Sequence, residues 1–142
     1  MEPRFFSLEE ANSEVPKIRK GLEKITALNV KVKDLSKDVQ ELVNIWGEDI
    51  FNRANIDHLF YTEKIERRAD YIAQAQEIVE VLQSSGCMIR DMELGLVDFF
   101  HKRGDEVLFL CWRYGEAKIG HWHPVNSGYT SRRPIEELMK LA

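Results

Sequence analysis

Tyr61, Ile65, Arg68, Ile72, Ala75, Val79 and Leu82 follow one another at intervals of 4, 3, 4, 3, 4 and 3 residues. That alternation keeps one stripe of a helix apolar turn after turn, with a single charged position, Arg68. Upstream, Ile18, Leu22, Ile25, Val32, Val39, Leu42 and Trp46 show a 4-3 spacing of their own, with Asn29 and Ser36 as polar exceptions. Leu28 and Leu35 lie beside those exceptions and widen the stripe. The less regular run from Gly47 to Asp57 is a short connection, which makes the two helices antiparallel neighbours. Gly86 closes the second helix as a C-terminal cap.

The first helix has a marked beginning. Ser7-Leu8-Glu9-Glu10 is a capping box: Ser7 can accept from a free amide of the first turn, and Glu10 can reach back to the Ser7 amide. Pro16 follows soon after, and an interior proline removes a hydrogen bond and crowds the preceding turn. Ser13 offers a second cap, so a short helix with a kink or restart near residues 13–16 is expected.

At Gly86 the period changes from 3.5 to 2. Strands are expected at Cys87–Asp91, Leu96–Phe100, Glu106–Arg113 and Lys118–His123. Gly95, Gly104 and Gly115 fall in the turns between them. Pro134 then opens a terminal helix with Ile135, Leu138 and Met139 on one face. The predicted fold is α+β: a long, coiled-coil-like antiparallel helical hairpin (7–85), a small antiparallel β-meander (86–125), and a loop with a short C-terminal helix (126–142), all in a single domain spanning 1–142. A lone pair of helices leaves apolar residues uncovered. Leu28, Leu35, Tyr71, Ile78 and Val81 are expected to meet a second copy, making a homodimer through a four-helix bundle.

Charge narrows the function classes. The formal net charge is −4, with 12 Lys/Arg against 16 Asp/Glu in residues 1–85 and 8 against 8 in residues 86–142. With no basic stripe to track a phosphate backbone, nucleic-acid binding is not expected. No stretch approaches the roughly 18 apolar residues of a membrane helix, so no membrane partner is expected. MEPRFFSLEE lacks the charged and apolar regions of a signal peptide. The expectation is therefore a cytoplasmic protein in which Cys87 and Cys111 are free thiols.

The stretch Ile119-Gly-His-Trp-His-Pro-Val125 holds the strongest chemical hint. Residues two apart on a strand share a face, so His121 and His123 could point together. A metal needs at least a third ligand, for which Asp98, Cys111 and Glu116 are the candidates. The chain has no C-x-x-C and no H-E-x-x-H, so no metal site and no cofactor is assigned. The pair reads as a strand end carrying one functional or structural histidine. Asp98 sits in the apolar run Gly95–Phe100, so its carboxylate must face water, pair with a cation or accept amide hydrogen bonds. Arg113, Arg132 and Arg133 are the expected partners. Cys111, within Leu108–Trp112, reads as a buried apolar residue. Arg68 is expected to snorkel or pair with a carboxylate across the helices. No phosphate-binding glycine loop and no nucleophile elbow is present.

Several separated motifs also resemble a known family. They are Arg4-x-Phe-Ser-Leu-Glu-Glu-Ala-Asn12, Gly95-Leu-Val-Asp-Phe99, Leu110-Cys-Trp-Arg-x-Gly-Glu116, Ile119-x-x-Trp-His123 and Gly128-Tyr-x-x-Arg132. In that order, over almost the whole chain, they resemble the prokaryotic family catalogued as domain of unknown function 2203. The resemblance extends to Asp98, Cys111, Trp112, Glu116, Trp122, His123 and Arg132. At the position of His121 the family more often has an aromatic such as tyrosine, which leaves His123 as the histidine of interest. The resemblance implies a small cytoplasmic protein and no particular reaction.

The favoured reading is a dimeric interaction or small-ligand-binding module whose ligand contacts are Asp98, Arg113, Glu116, His123 and Arg132. The alternative is a small hydrolase, metal-assisted or not, using His123 with Asp98 or Glu116. In a third, structural reading, Trp122 and Arg132 lock the last loop onto the sheet. No catalytic residue is assigned.

Overall fold

A computed structural model describes residues 2–140, with side chains as far as Leu138. The elements run α1 (Leu8–Trp46), a 3-10 helix (Gly47–Phe51), α2 (His58–Gln83), β1 (Met88–Asp91), β2 (Leu96–Arg103), β3 (Glu106–Arg113), β4 (His121–Pro124), a 3-10 turn (Tyr129–Ser131), β5 (Arg133–Pro134) and α3 (Ile135–Lys140). This is an α+β arrangement whose antiparallel sheet has the order β1-β2-β3-β4-β5. No helix among the described residues is long and apolar enough to cross a membrane.

The capping box at the head of α1 forms as its chemistry demands. Ser7 Oγ accepts from the Glu10 amide at 3.1 Å, and Glu10 Oε1 accepts from the Ser7 amide at 3.0 Å. That second bond is the main reason the Glu10 carboxyl is held below its ordinary value. The expected break at Pro16 is absent: α1 runs through it without interruption. The Ser13 hydroxyl donates to the Glu10 carbonyl at 2.5 Å instead of capping a new helix. Ala11, Val15, Ile18 and Leu22 on the same stripe are all buried. Their burial, at about 1.5–3 kcal/mol for each large side chain, offsets the roughly 3 kcal/mol an interior proline costs.

The chain sorts into two compact units whose boundaries cut both long helices. Residues 23–78 form one unit. Its two helical segments are antiparallel: Lys64 Nζ meets Asp38 Oδ2 at 2.8 Å, Arg68 Nε donates to Ser36 Oγ at 2.6 Å, and Lys31 lies over the Tyr71 ring at 5.1 Å. The charged exception in one seam thus meets a polar exception in the other, and Arg68 pairs with a hydroxyl where a carboxylate was expected. Ile25, Leu35, Leu42 and Ile50 are buried in this unit. The only buried residue of α2 is Leu82, which belongs to the other unit.

The second unit takes the chain up to Leu22 together with Val79 onward. Here Gly21 lets the helices approach closely: a Cβ at this position would stand 2.7 Å from Leu82 Cδ1. Val97, Phe99, Leu108, Leu110 and Trp112 are fully buried at 0% exposure. Phe6 stacks edge-on against Phe99 at 5.1 Å, and Asn12 Oδ1 accepts from the Ile119 amide at 2.8 Å. These contacts bind the start of α1 to the sheet.

Strand limits differ from expectation where tertiary pairing intervenes. β2 extends to Arg103, because it stays in register with β3 down to Arg103↔Glu106, where the two side chains also form an ion pair at 3.0 Å. β4 begins at His121 rather than at Lys118, and the segment before it is held by Asn12 instead. β5 was not anticipated. It has two residues, which pair with His121 and Trp122, and two residues show no periodicity to read. In α3 Ile135 and Leu138 are buried as expected, whereas Met139 lies outside the described side chains.

Candidate functional site

Strand pairing brings three chemically active side chains onto one face. Asp98 on β2 lies opposite Cys111 on β3, and His123 on β4 lies opposite Phe109, two residues from Cys111 on the same face. Ligand atoms of Asp98, Cys111 and His123 all fall within 4.8 Å of one another. Asp98 and His123 are each only 3% exposed, the only buried polar side chains among the described residues.

The bonds around His123 are unusual. Nε2 sits 3.1 Å from Asp98 Oδ1, and Nδ1 sits 2.9 Å from the Pro124 carbonyl oxygen. A carbonyl can only accept, so Nδ1 carries a proton and donates it. Nε2 is therefore the nitrogen that faces the Asp98 carboxyl. The hydrogen bond to Asp98, then the neighbouring Cys111 sulfur, push the imidazole up to about 10 against the opposing effect of burial. The other Asp98 oxygen, Oδ2, accepts from Arg90 Nε at 3.1 Å. Arg90 lies over the Phe109 ring at 5.0 Å.

A second cluster forms around Glu116. Its Oε1 accepts from the Arg113 amide at 2.6 Å and from Arg132 Nη2 at 2.8 Å. His121 Nδ1 stands 3.3 Å from Oε2, outside hydrogen-bond geometry. Arg113 Nη1 donates to the Tyr129 hydroxyl at 2.7 Å, and the Tyr129 ring lies under Arg132 at 5.1 Å. This cluster fixes the position of Tyr129.

Both clusters border one cavity of about 470 Å³. It is lined by Arg90, Leu96, Asp98, Cys111 and His123 together with the segment from Val125 to Tyr129. Among the described residues, nothing bonds to Arg90 Nη1 or Nη2, so that guanidinium keeps donors to offer.

The five residues expected to bind a ligand therefore divide. Asp98 and His123 meet and line the cavity. Glu116 and Arg132 pair with each other, and Arg113 reaches the cavity only through Tyr129. The expected partners of Asp98 are replaced. Arg113 goes to Tyr129, Arg132 to Glu116, and Arg133 lies over the Trp122 ring at 5.6 Å. Arg90 takes their place. β1 pairs beside Asp98 at Met88, and its register shifts between Ile89 and Asp91, so Arg90 sits at an irregularity that strand alternation does not predict. Cys111 is buried as expected, yet it belongs to the polar cluster. The two histidines of the H-W-H stretch turn to different carboxylates, His121 to Glu116 and His123 to Asp98.

A family model described as uncharacterized conserved protein (DUF2203) matches residues 4–135. The chain belongs to this family. No curated protein and no solved structure matches the chain. The DUF2203 match runs from before α1 to the first residue of α3, so both polar clusters and the whole cavity lining lie within the extent of the family.

Proposed function

We propose that the chain is a binding module for a small anionic molecule of the carboxylate or phosphate type. The observation that carries this reading is the cavity of about 470 Å³ with Arg90, Asp98 and His123 joined along its wall. Its size suits a small molecule. Arg90 spends only Nε on Asp98, which leaves a planar pair of donors for an anion. The Glu116–Arg132 pair and Arg113 act through Tyr129, which is part of the lining. Binding fits the geometry better than general-base hydrolysis, because both nitrogens of His123 are already engaged. The test is thermal unfolding with a panel of small carboxylates, phosphate esters and inorganic phosphate. A true ligand at 100 times its Kd stabilises by about 2.7 kcal/mol, and Arg90→Ala removes that gain. A panel with no effect, or an unchanged effect in Arg90→Ala, rejects the reading.

The same reading includes a homodimer formed through the helical unit. Ile65 and Ile72 of the α2 seam are only half-buried, and Val30, Ile45, Phe51, Ile56, Leu59 and Phe60 are exposed. Leu35, expected on the dimer face, is instead buried within its own unit at 7% exposure. Apart from Val30, these exposed residues lie in or beside the connection between α1 and α2, and apolar surface of this kind marks an interface. Sedimentation equilibrium should give twice the chain mass, reduced to the monomer by Ile45→Asp with Phe60→Asp. A wild-type monomer at micromolar concentration excludes it.

A further inference from the structure

We propose that Asp98, Cys111 and His123 bind a divalent cation of the zinc class, with one coordination position facing the cavity. This deepens the anion-binding reading, since such a cation would attract the anion, yet it stands on the three side chains alone.

Three donor atoms of types that zinc accepts converge within 4.8 Å. A tetrahedral ion with bonds of about 2.0–2.3 Å holds its ligand atoms about 3.3–3.8 Å apart. His123 Nε2 and Asp98 Oδ1, 3.1 Å apart, are already close to that spacing. Closing the remaining separations takes movements of about 1 Å or less. Each ligand comes from a different strand of one sheet, a rigid platform.

The surroundings match what a metal-binding histidine needs. Nδ1 donates to the Pro124 carbonyl, which fixes Nε2 as the nitrogen turned to the cluster. Arg90 holds Asp98 Oδ2, leaving Oδ1 on the side of His123. A nucleophilic triad places thiol and carboxylate on opposite nitrogens of the histidine. Here Nδ1 is taken by the Pro124 carbonyl and the carboxylate stands on Nε2. No nitrogen opposite the carboxylate is left for a thiol, so the three donors within 4.8 Å of one another suit a cation better than a proton relay.

Charge balance agrees. A carboxylate, a thiolate, a neutral imidazole and a divalent cation sum to zero in a site whose residues are 2–3% exposed. Thiolate with imidazole favours zinc over magnesium or calcium. The protons displaced from the thiol and from Nε2 leave to solvent. Three protein ligands leave a fourth position, and the cavity lies beside all three.

The experiment is titration of the full chain, first treated with chelator, with cobalt(II) and then with zinc. The expected result is one equivalent of cobalt with a thiolate-to-cobalt charge-transfer absorption, which zinc abolishes. Cys111→Ser should remove that absorption, His123→Gln should remove stoichiometric binding, and Arg90→Ala should weaken binding about 10- to 100-fold. Circular dichroism checks that each variant is folded. The wild-type spectrum decides even if a variant fails to fold: no charge-transfer band overturns the proposal. Equal binding by wild type and folded Cys111→Ser and His123→Gln also overturns it. Anion stabilisation that persists in chelator, without cobalt binding, leaves the ligand reading standing and removes the cation. Cobalt binding with no anion effect does the reverse.

Discussion

Replacing Asp98 tests whether its bond to His123 is a structural keystone of the sheet. The two side chains are each 4% exposed and meet at 3.1 Å. Asp98→Ala leaves the imidazole facing an emptied, buried space. Removing one partner of a buried pair costs about 3–5 kcal/mol. Arg90 contributes little to that figure, because its side chain is 48% exposed, and a pair so wet gives about 0–1 kcal/mol. Asp98→Asn should be far milder. Its amide can donate to Nε2 of a neutral ring while Nδ1 keeps its proton on Pro124. Only the charged character of the bond is lost, about 1–2 kcal/mol. His123→Leu strands the carboxylate with Arg90 alone and should cost about 3 kcal/mol. The double variant Asp98→Ala, His123→Leu should cost less than the two single changes added, with a coupling of about 2–3 kcal/mol. Urea unfolding in the presence of chelator, followed by tryptophan fluorescence, measures all four. At about 3 °C per kcal/mol for a chain of this length, Asp98→Ala should lower Tm by about 9–15 °C. A cost below about 1 kcal/mol for Asp98→Ala, or strict additivity, would refute the reasoning.

Four further outcomes are expected. Gly95 has φ of +68°, and a new Cβ would stand 2.5 Å from Tyr114 Cβ. Gly104 has φ of +60° with nothing within 4 Å. Gly95→Ala should therefore cost about 2–4 kcal/mol and Gly104→Ala only about 1–2 in denaturant melts, and equal costs would show that the clash with Tyr114 is relieved. Ser7→Ala should remove about 1 kcal/mol of stability. The Glu10 carboxyl is depressed in the folded state, so its contribution is present above its unfolded pKa and lost as pH falls through the folded one. Glu10→Gln should flatten that acid limb of a stability–pH curve, and an unchanged limb would assign it to other carboxylates. Arg132→Ala breaks a pair whose side chains are 11% and 25% exposed and should lower stability by about 1–3 kcal/mol. Wild-type melting would show that the last loop is held by other contacts.

Much of the fold was legible because its causes are local. The 4-3 spacing of Tyr61 to Leu82 and the capping box at Ser7 concern residues within a turn of each other. The change of period at Gly86 separates helix from sheet in the same local way. The meeting of Arg68 with Ser36 was not legible in this way, because the α1 seam has two polar breaks, Asn29 and Ser36, and only the packed helices select between them. The site was legible in part. Asp98 and His123 stood out, the first as a carboxylate in an apolar run, the second through its H-W-H context and family resemblance.

Partner choice was not local, and there the tertiary structure decided. Arg90, Arg113, Arg132 and Arg133 are equivalent cations to a reader of the chain. Strand order places β1 beside β2, so Arg90 reaches Asp98, while β5 beside β4 carries the chain back past Glu116. Pro16 stays helical because buried contacts on the α1 stripe outweigh its local cost. Cys111 looked like an ordinary core residue. Only the register Asp98↔Cys111, with His123 one strand over, turns three scattered side chains into a single cluster. Sequence periodicity determines which face of a strand a residue occupies. Which other strand's residue it meets there depends on pairing between segments distant along the chain, and that is set only when the whole sheet closes.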